Sequence, residues 1–223
     1  MNKLRKIVRL EDDSRTDGIG TLLFFAGMFI MLATFTISGG SWLSLLSGVL
    51  GVASVVFCSQ KKVSSFFYGF AQLITYVILC LQHRLYGEIA ENVFYFVTMI
   101  YGMYHWMKHY NYEEAEIETR SLNAGQKAWV FIITSISTLI LFNILVATDD
   151  TQPFMDAVTT APAFVAQILM IARYKDSWVY WFIIDAGAIP MWVVAGDWCM
   201  VAQYVFWSIN CIYGFYKWKN DKI

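Results

Sequence analysis

The stretch GIGTLLFFAGMFIMLATFTISGGSWLSLLSGVLGVASVVFCSQ, residues 18–60, contains no Asp, Glu, Lys or Arg. At about 20 residues per crossing of a ~30 Å hydrocarbon core, it holds two passes through a bilayer, with Gly39-Gly40 as the break between them. The same economy of charge runs through the chain. Of 223 residues, 58% are apolar, 17% aromatic and 15% charged, and mean hydropathy is +0.50. Soluble domains carry roughly 25% charge, so a water-soluble globule is excluded. The charges also cluster: residues 1–18 hold nine and residues 108–127 hold seven. This is the composition of an all-α polytopic membrane protein. A transmembrane barrel would instead show alternating segments of about 10 residues, and none occur.

Polar breaks divide the chain into eight predicted transmembrane helices, over 19–37, 42–58, 63–81, 88–106, 128–147, 154–172, 177–194 and 197–216. The loops between them set the orientation, because cytoplasmic loops carry the excess of Lys and Arg. With eight spans, one side receives Lys3, Arg5, Lys6, Arg9, Arg15, Lys61, Lys62, Lys108, Arg120, Lys127, Arg173, Lys175, Lys217, Lys219 and Lys222, and the other receives Arg84 alone. Both termini and the 108–127 loop are therefore expected to be cytoplasmic, the loop as a solvated connector. The first 18 residues mix both signs of charge ahead of an apolar run too long for a signal-peptide core, so no cleaved signal is expected.

An internal repeat is legible. Tyr101-Gly102-Met103-Tyr104-His105-Trp106 and Tyr213-Gly214-Phe215-Tyr216-Lys217-Trp218 share the pattern YGxYxW at an offset of 112. Gln60-Lys61-Lys62-Val63-Ser64 aligns with Arg173-Tyr174-Lys175-Asp176-Ser177 at 113, which pairs Gln72 with Asp185. Spans 2–4 and 6–8 read as two three-helix units, and span 5 carries the chain back so that they run parallel. The expected segments are 1–41 (N-terminus and an extra helix), 42–107 (first unit), 108–152 (loop and linker helix), 153–218 (second unit) and 219–223 (tail). Parallel repeats place a pathway between the copies.

Two acids lie well inside spans, Glu91 and Asp185, where a charge is costly and usually functional. Trp178, Trp181 and Asp185 are three and four residues apart, hence on one helix face, a clamp for a flat cationic or hydrogen-bonding ring. Trp178 also fits an interfacial anchor. Gln203, Trp207 and Asn210 share a face of span 8, and align at offset 112 with Glu91, Tyr95 and Thr98 of span 4; Gln72 and Asn92 add amides. The coincidence of three equivalent positions argues for a lined pathway, with hydrogen-bonded glue between helices as the alternative. Pro162, Gly187 and Pro190 are possible kinks. His83, His105 and His109 have no ligand partners nearby in sequence, and Cys58, Cys80, Cys199 and Cys211 form no CxxC pair, so neither a metal nor a redox site is expected. No P-loop and no catalytic constellation can be assembled, so no enzyme activity and no cofactor are expected. A net charge of −1 excludes nucleic acid as the partner.

The stretches Trp42-Leu43 to Ser47-Gly48-Val49-Leu50-Gly51, Leu85-Tyr86-Gly87-Glu88 into Asn92-Val93-Phe94-Tyr95-Phe96, the WxxW pair Trp178/Trp181, and Gly196-Asp197-Trp198 to Asn210-x-x-Tyr213-Gly214-Phe215-Tyr216 together resemble the PnuC-type vitamin-precursor transporters over about 42–218. The resemblance implies a SWEET-like 3+1+3 helix plan, a homotrimer in a bacterial inner membrane, and facilitated diffusion of nicotinamide riboside with trapping by a cytoplasmic kinase. Relatives carry thiamine, riboflavin or deoxynucleosides. Asp185 stands where the family often has Asn, and an acid there suits the pyridinium of nicotinamide riboside and the thiazolium of thiamine alike. The implied contact set is Trp178, Trp181, Asp185, Gln72, Glu91, Asn92, Gln203, Trp207 and Asn210.

Overall fold

Capping chemistry sets where each helix begins. The computed structural model describes residues 2–13 and 17–219, so Arg15 and Lys222 of the orientation count, and most of the 219–223 tail, lie outside the described residues. After α1 (Asn2–Asp13), Asp17 accepts from the N–H groups of Ile19 and Gly20 at 3.1 and 3.5 Å and starts α2 (Gly18–Ser38), which ends on left-handed Gly39 (φ 64°). Ser41 accepts from Ser44 N at 3.0 Å and opens α3 (Trp42–Ser59). Then come α4 (Ser65–His83) and α5 (Tyr86–Lys108). Two short strands, β1 (Tyr110–Asn111) and β2 (Glu116–Ile117), pair antiparallel. A reciprocal Asn123–Gln126 capping box starts α6 (Ala124–Leu145). Pro153, in the first turn where its missing N–H costs nothing, starts α7 (Pro153–Ile171). The chain closes with α8 (Ser177–Ala195) and α9 (Trp198–Lys219).

Each of the eight predicted spans is a helix, and the largest shift in a start is at α6, four residues early. Six of them, α2, α3, α4, α6, α7 and α8, are long and apolar enough to cross a membrane. Helices α5 and α9, of 23 and 22 residues, are as long but more polar, and Glu91, Asn92, Gln203 and Asn210 on them are buried. The outward faces of α2 and α6 are apolar, with Phe25, Phe29, Ile37, Trp129, Phe131 and Leu139 exposed. Apolar groups outside and polar groups inside is the pattern of a chain solvated by lipid, and the molecule is a multi-pass membrane protein. Pro162 and Pro190 stay within α7 and α8.

Two parts escape the reading of the sequence. Helix α1 docks through Ile7, fully buried, with Leu4 and Leu10 beside it, against Trp106, Tyr110 and Ile117. The segment after α5 is not a solvated connector: Tyr110 and Ile117 are buried, Ile117 N donates to Lys61 O at 3.2 Å, and Arg120 pairs with the α7–α8 turn through Arg120 N to Arg173 O and Lys175 N to Arg120 O, both 2.9 Å. Short alternations of buried and exposed residues in a charged loop carry too little periodicity to announce such docking.

Helices α3, α4 and α5 pack in series, as do α7, α8 and α9; across the two sets, α3 packs on α9 and α5 on α7. Helix α2 lies against α3 and α9, and α6 against α7. The boundaries recur at a single spacing of 112, from Ser65–His83 to Ser177–Ala195 and from the left-handed residues Lys61 and Arg84 to Arg173 and Gly196. The basic turn therefore follows the YGxYxW offset, and Gln72 corresponds to Ile184 rather than to Asp185.

Candidate functional site

Where the two helix sets face each other they frame a cavity of about 160 Å³, lined from α3, α4, α5, α7, α8 and α9 and, among the described residues, by none of α2 or α6. A volume of roughly 150 Å³ accommodates a benzene ring, so the space holds one aromatic ring and a larger ligand requires the helices to part. Its polar lining comes from Gln72, Tyr95, Gln167, Asp185, Asn210 and the hydroxyls of Ser54 and Ser65, and includes no Lys, Arg or His.

Five of the nine predicted contact residues line this cavity: Gln72, Trp181, Asp185, Trp207 and Asn210. Asp185 is 3% exposed and accepts from the Cys211 thiol at 3.3 Å. Trp181 meets Tyr95 edge to face, with centroids 5.8 Å apart, so an indole, a phenol and a carboxylate converge on one wall. Trp207 stands edge-on to Tyr204 at 5.0 Å. Asn210 is already bound: its carbonyl accepts from Ser59 Oγ at 3.2 Å and its amide donates to Val55 O at 3.1 Å, pinning α9 to α3.

The other four lie outside. Trp178 shares a face with Trp181 but is 3% exposed and packs edge-on to Trp218 at 5.5 Å, directly over Gly214. Asn92 donates to Glu88 O at 2.6 Å, a bond within α5. Glu91 is buried one turn before Tyr95, and its Oε2 has no hydrogen-bond partner among the described residues. Gln203 is fully buried against Gly48 and Gly51 of α3, and neither of its amide atoms is paired among the described residues. Sequence reasoning passed over Gln167, Met170 and Cys211. An amide and a thiol deep in apolar spans were the available signal, but burial alone does not say which side of a helix faces a void.

Aromatic clusters occupy the bundle on either side of the cavity. Toward the end carrying the basic turns, Phe66, Trp106, Trp178 and Trp218 fill the bundle. Toward the other, Tyr76 and Tyr204 share a hydrogen bond, Tyr76 donates to Glu88 at 2.8 Å, and Trp192 stacks obliquely on Tyr76 at 5.8 Å.

A multi-pass helical bundle with a partly polar chamber between two matched helix sets defines the class as a membrane carrier fold. Residues 41–220 match the family model described as nicotinamide mononucleotide transporter, and the chain belongs to this PnuC-type family. Similar proteins named nicotinamide riboside transporter PnuC occur in Neisseria mucosa (29% identical over 208 residues, 88% of this chain and 78% of that protein) and Haemophilus influenzae (27% over 181, 80% and 79%). One in Escherichia coli K12 is 25% identical over 206 residues, covering 81% and 86%. A crystal structure of the vitamin B3 transporter PnuC superposes with a TM-score of 0.83 at 25% identity, covering 95% of this chain and 94% of that one.

Proposed function

We propose that the chain carries nicotinamide riboside into the cytoplasm by facilitated diffusion, with eight transmembrane helices, as a homotrimer in a bacterial inner membrane with both termini cytoplasmic. Helices α3–α5 and α7–α9 act as the two parallel units of a SWEET-like 3+1+3 plan, with α6 as linker and α2 as the extra N-terminal helix. Alternating access follows from rocking one unit against the other, and phosphorylation in the cytoplasm traps the product. The observation that carries this reading is the chamber itself, walled by both units and holding Trp181 and Asp185 together.

The lining also favours the riboside over the mononucleotide. A buried phosphate needs cationic or multiple N–H partners, and the lining has an acid and no base. A pyridinium ring, by contrast, gains from Asp185 and from the faces of Trp181 and Tyr95. Gln72 is assigned to the ring amide, and Trp207 and Asn210 to the ribose side. Trp178, Glu91, Asn92 and Gln203 join the path only as the units move; the unpaired amide of Gln203 suits a surface that opens. Uptake of labelled nicotinamide riboside into proteoliposomes, with thiamine in excess as competitor, tests the assignment. Preferential thiamine uptake, or equal competition by riboflavin or a deoxynucleoside, would sink the substrate while leaving the fold untouched.

A proton-coupled reading rests on Glu91, a buried acid beside Glu88 on α5 with one oxygen unpaired among the described residues. It requires uptake to fall when an ionophore collapses the pH gradient.

A further inference from the structure

Helix α1 is 12 residues long, about 18 Å at 1.5 Å per residue, too short to cross a bilayer. It carries basic residues at Lys3, Arg5, Lys6 and Arg9. Ile7 and Glu11 face the protein, and Glu11 is committed there: its two oxygens accept from Val63 N at 2.6 Å and Ser64 N at 3.1 Å, at the approach to α4. Burial pushes the Glu11 carboxyl above its ordinary 4.5 in spite of those bonds. The stripe through Arg5, Val8 and Arg9 is exposed and borders a groove against the end of α3 and the first turn of α4.

The groove has two chemistries. Its floor is apolar and open, with Val8 38%, Phe67 44% and Tyr68 38% exposed, and Phe57 beneath. Around it stand Arg5, Arg9 and Lys62; the Lys62 ammonium is 5.9 Å from the Phe57 ring centroid and donates to Glu11 O at 3.3 Å. Among the described side chains, Asp12 is the one other acid in the lining, beyond the committed Glu11. The groove lies where α3 ends and α4 begins, at the edge of the apolar band. A free soluble anion has no use for an open aromatic floor, and a zwitterionic lipid has no use for three converging cations.

We propose that this groove between α1, α3 and α4 is a binding site for a glycerophospholipid with a net-negative headgroup, its phosphate held among Arg5, Arg9 and Lys62 and its acyl chain lying over Val8, Phe67 and Tyr68. An interfacial basic helix beside apolar surface is suited to this partner, and the lipid secures α1 against the aromatic cluster at one end of the chamber.

The test reconstitutes the full chain in vesicles of equal phosphatidylglycerol and phosphatidylcholine, extracts it into detergent, and measures the ratio of the two lipids retained. Phosphatidylglycerol is expected in clear excess. Each basic residue near an anionic surface contributes enough that its removal weakens retention about fivefold. Arg5→Gln is expected to do so, Arg5→Lys to restore it, and Val8→Asp to abolish it. Both positions are exposed, and unchanged thermal midpoints and nicotinamide riboside uptake in pure phosphatidylcholine will show that the variants fold. Equal retention of the two lipids overturns the proposal, as does undiminished phosphatidylglycerol on Val8→Asp. Stabilisation by millimolar inorganic phosphate equal to that by the lipid also overturns it, by assigning the site to a free anion.

Discussion

Trp106 and Trp218 meet edge to face, with ring centroids 5.8 Å apart, and each donates its indole N–H across to the other helix set: Trp106 to Met170 O at 3.3 Å, Trp218 to Ser59 O at 3.2 Å. The two are the closing residues of the YGxYxW repeats, and their acceptors lie at the ends of α7 and α3. Around them the environment also repeats. Phe66 packs edge-on to Trp106 at 5.1 Å and faces Gly102; Trp178, 112 positions later, packs edge-on to Trp218 at 5.5 Å and faces Gly214. The motif is thus the cross-brace at one end of the chamber.

Replacing Trp218 by Phe keeps a ring but removes its N–H, leaving Ser59 O without that donor. A buried acceptor so stranded costs about 1–3 kcal/mol. We expect a lower thermal midpoint in detergent for Trp218→Phe, and a similar fall for Trp106→Phe. A fall at one position and none at the other would contradict a shared bracing role.

Gly214 has no room for a methyl group, since a Cβ there would stand 2.6 Å from the Trp178 indole, a rigid ring in a packed cluster. Overpacking of this kind costs about 1–3 kcal/mol, and Gly214→Ala should lower the midpoint accordingly. Gly125, in the first turn of α6 with only Asn123 Oδ1 at 3.5 Å, is the contrast. There Ala is tolerated sterically and raises helix propensity by up to about 1 kcal/mol, so Gly125→Ala should raise the midpoint or leave it level.

The two tryptophans of the WxxW pair should separate by assay. Trp181→Ala removes a chamber wall and is expected to weaken nicotinamide riboside binding at least tenfold, read as lost ligand-induced thermal stabilisation. Trp178→Ala removes a brace: the unliganded midpoint should fall by the equivalent of about 3–5 kcal/mol, with the ligand-induced increment retained. Asp185→Asn should depress uptake of the cationic riboside more than that of an uncharged nucleoside of similar size.

Asp17 links α2 to α9. Burial works to raise its carboxyl, but the Tyr213 hydroxyl at 2.5 Å, Lys217 at 3.3 Å and the Gly20 N–H together hold it below the ordinary 3.8. The ionised form is thus the one the fold favours. Its contribution is complete above 3.8 and is lost as pH falls through the depressed value. Asp17→Ala should cost about 1 kcal/mol as a lost N-cap near neutral pH, and the gap between variant and parent midpoints should close on acidification below that point.

Charge distribution along the chain decided a good deal unaided. The eight long helices were legible because apolar side chains and absent charges act over whole segments; the caps at Asp17, Ser41 and Asn123 came only with the structure. The repeat was legible at its most distinctive point, YGxYxW, because two buried indoles with polar tips have few substitutes. Its register was misread by one residue at the basic turn, since both turns carry basic residues at neighbouring positions and the residue types align about as well at 113 as at 112. Left-handed Lys61 and Arg173 are what select the 112 spacing.

Which side of each helix meets the chamber was decided only in three dimensions. Trp178, Trp181 and Asp185 share one helical stripe, yet Trp181 and Asp185 line the void while Trp178 packs under Gly214, because α9 approaches closely at that glycine. Gln203 and Asn210 look alike in sequence, but Ser59 and Val55 hold the amide of Asn210, while that of Gln203 has no partner among the described residues. Helical periodicity is a property of one segment. Cavity lining, bracing and the docking of α1 and the β1–β2 segment depend on distances between segments far apart in the chain, which follow only from packing all of them at once.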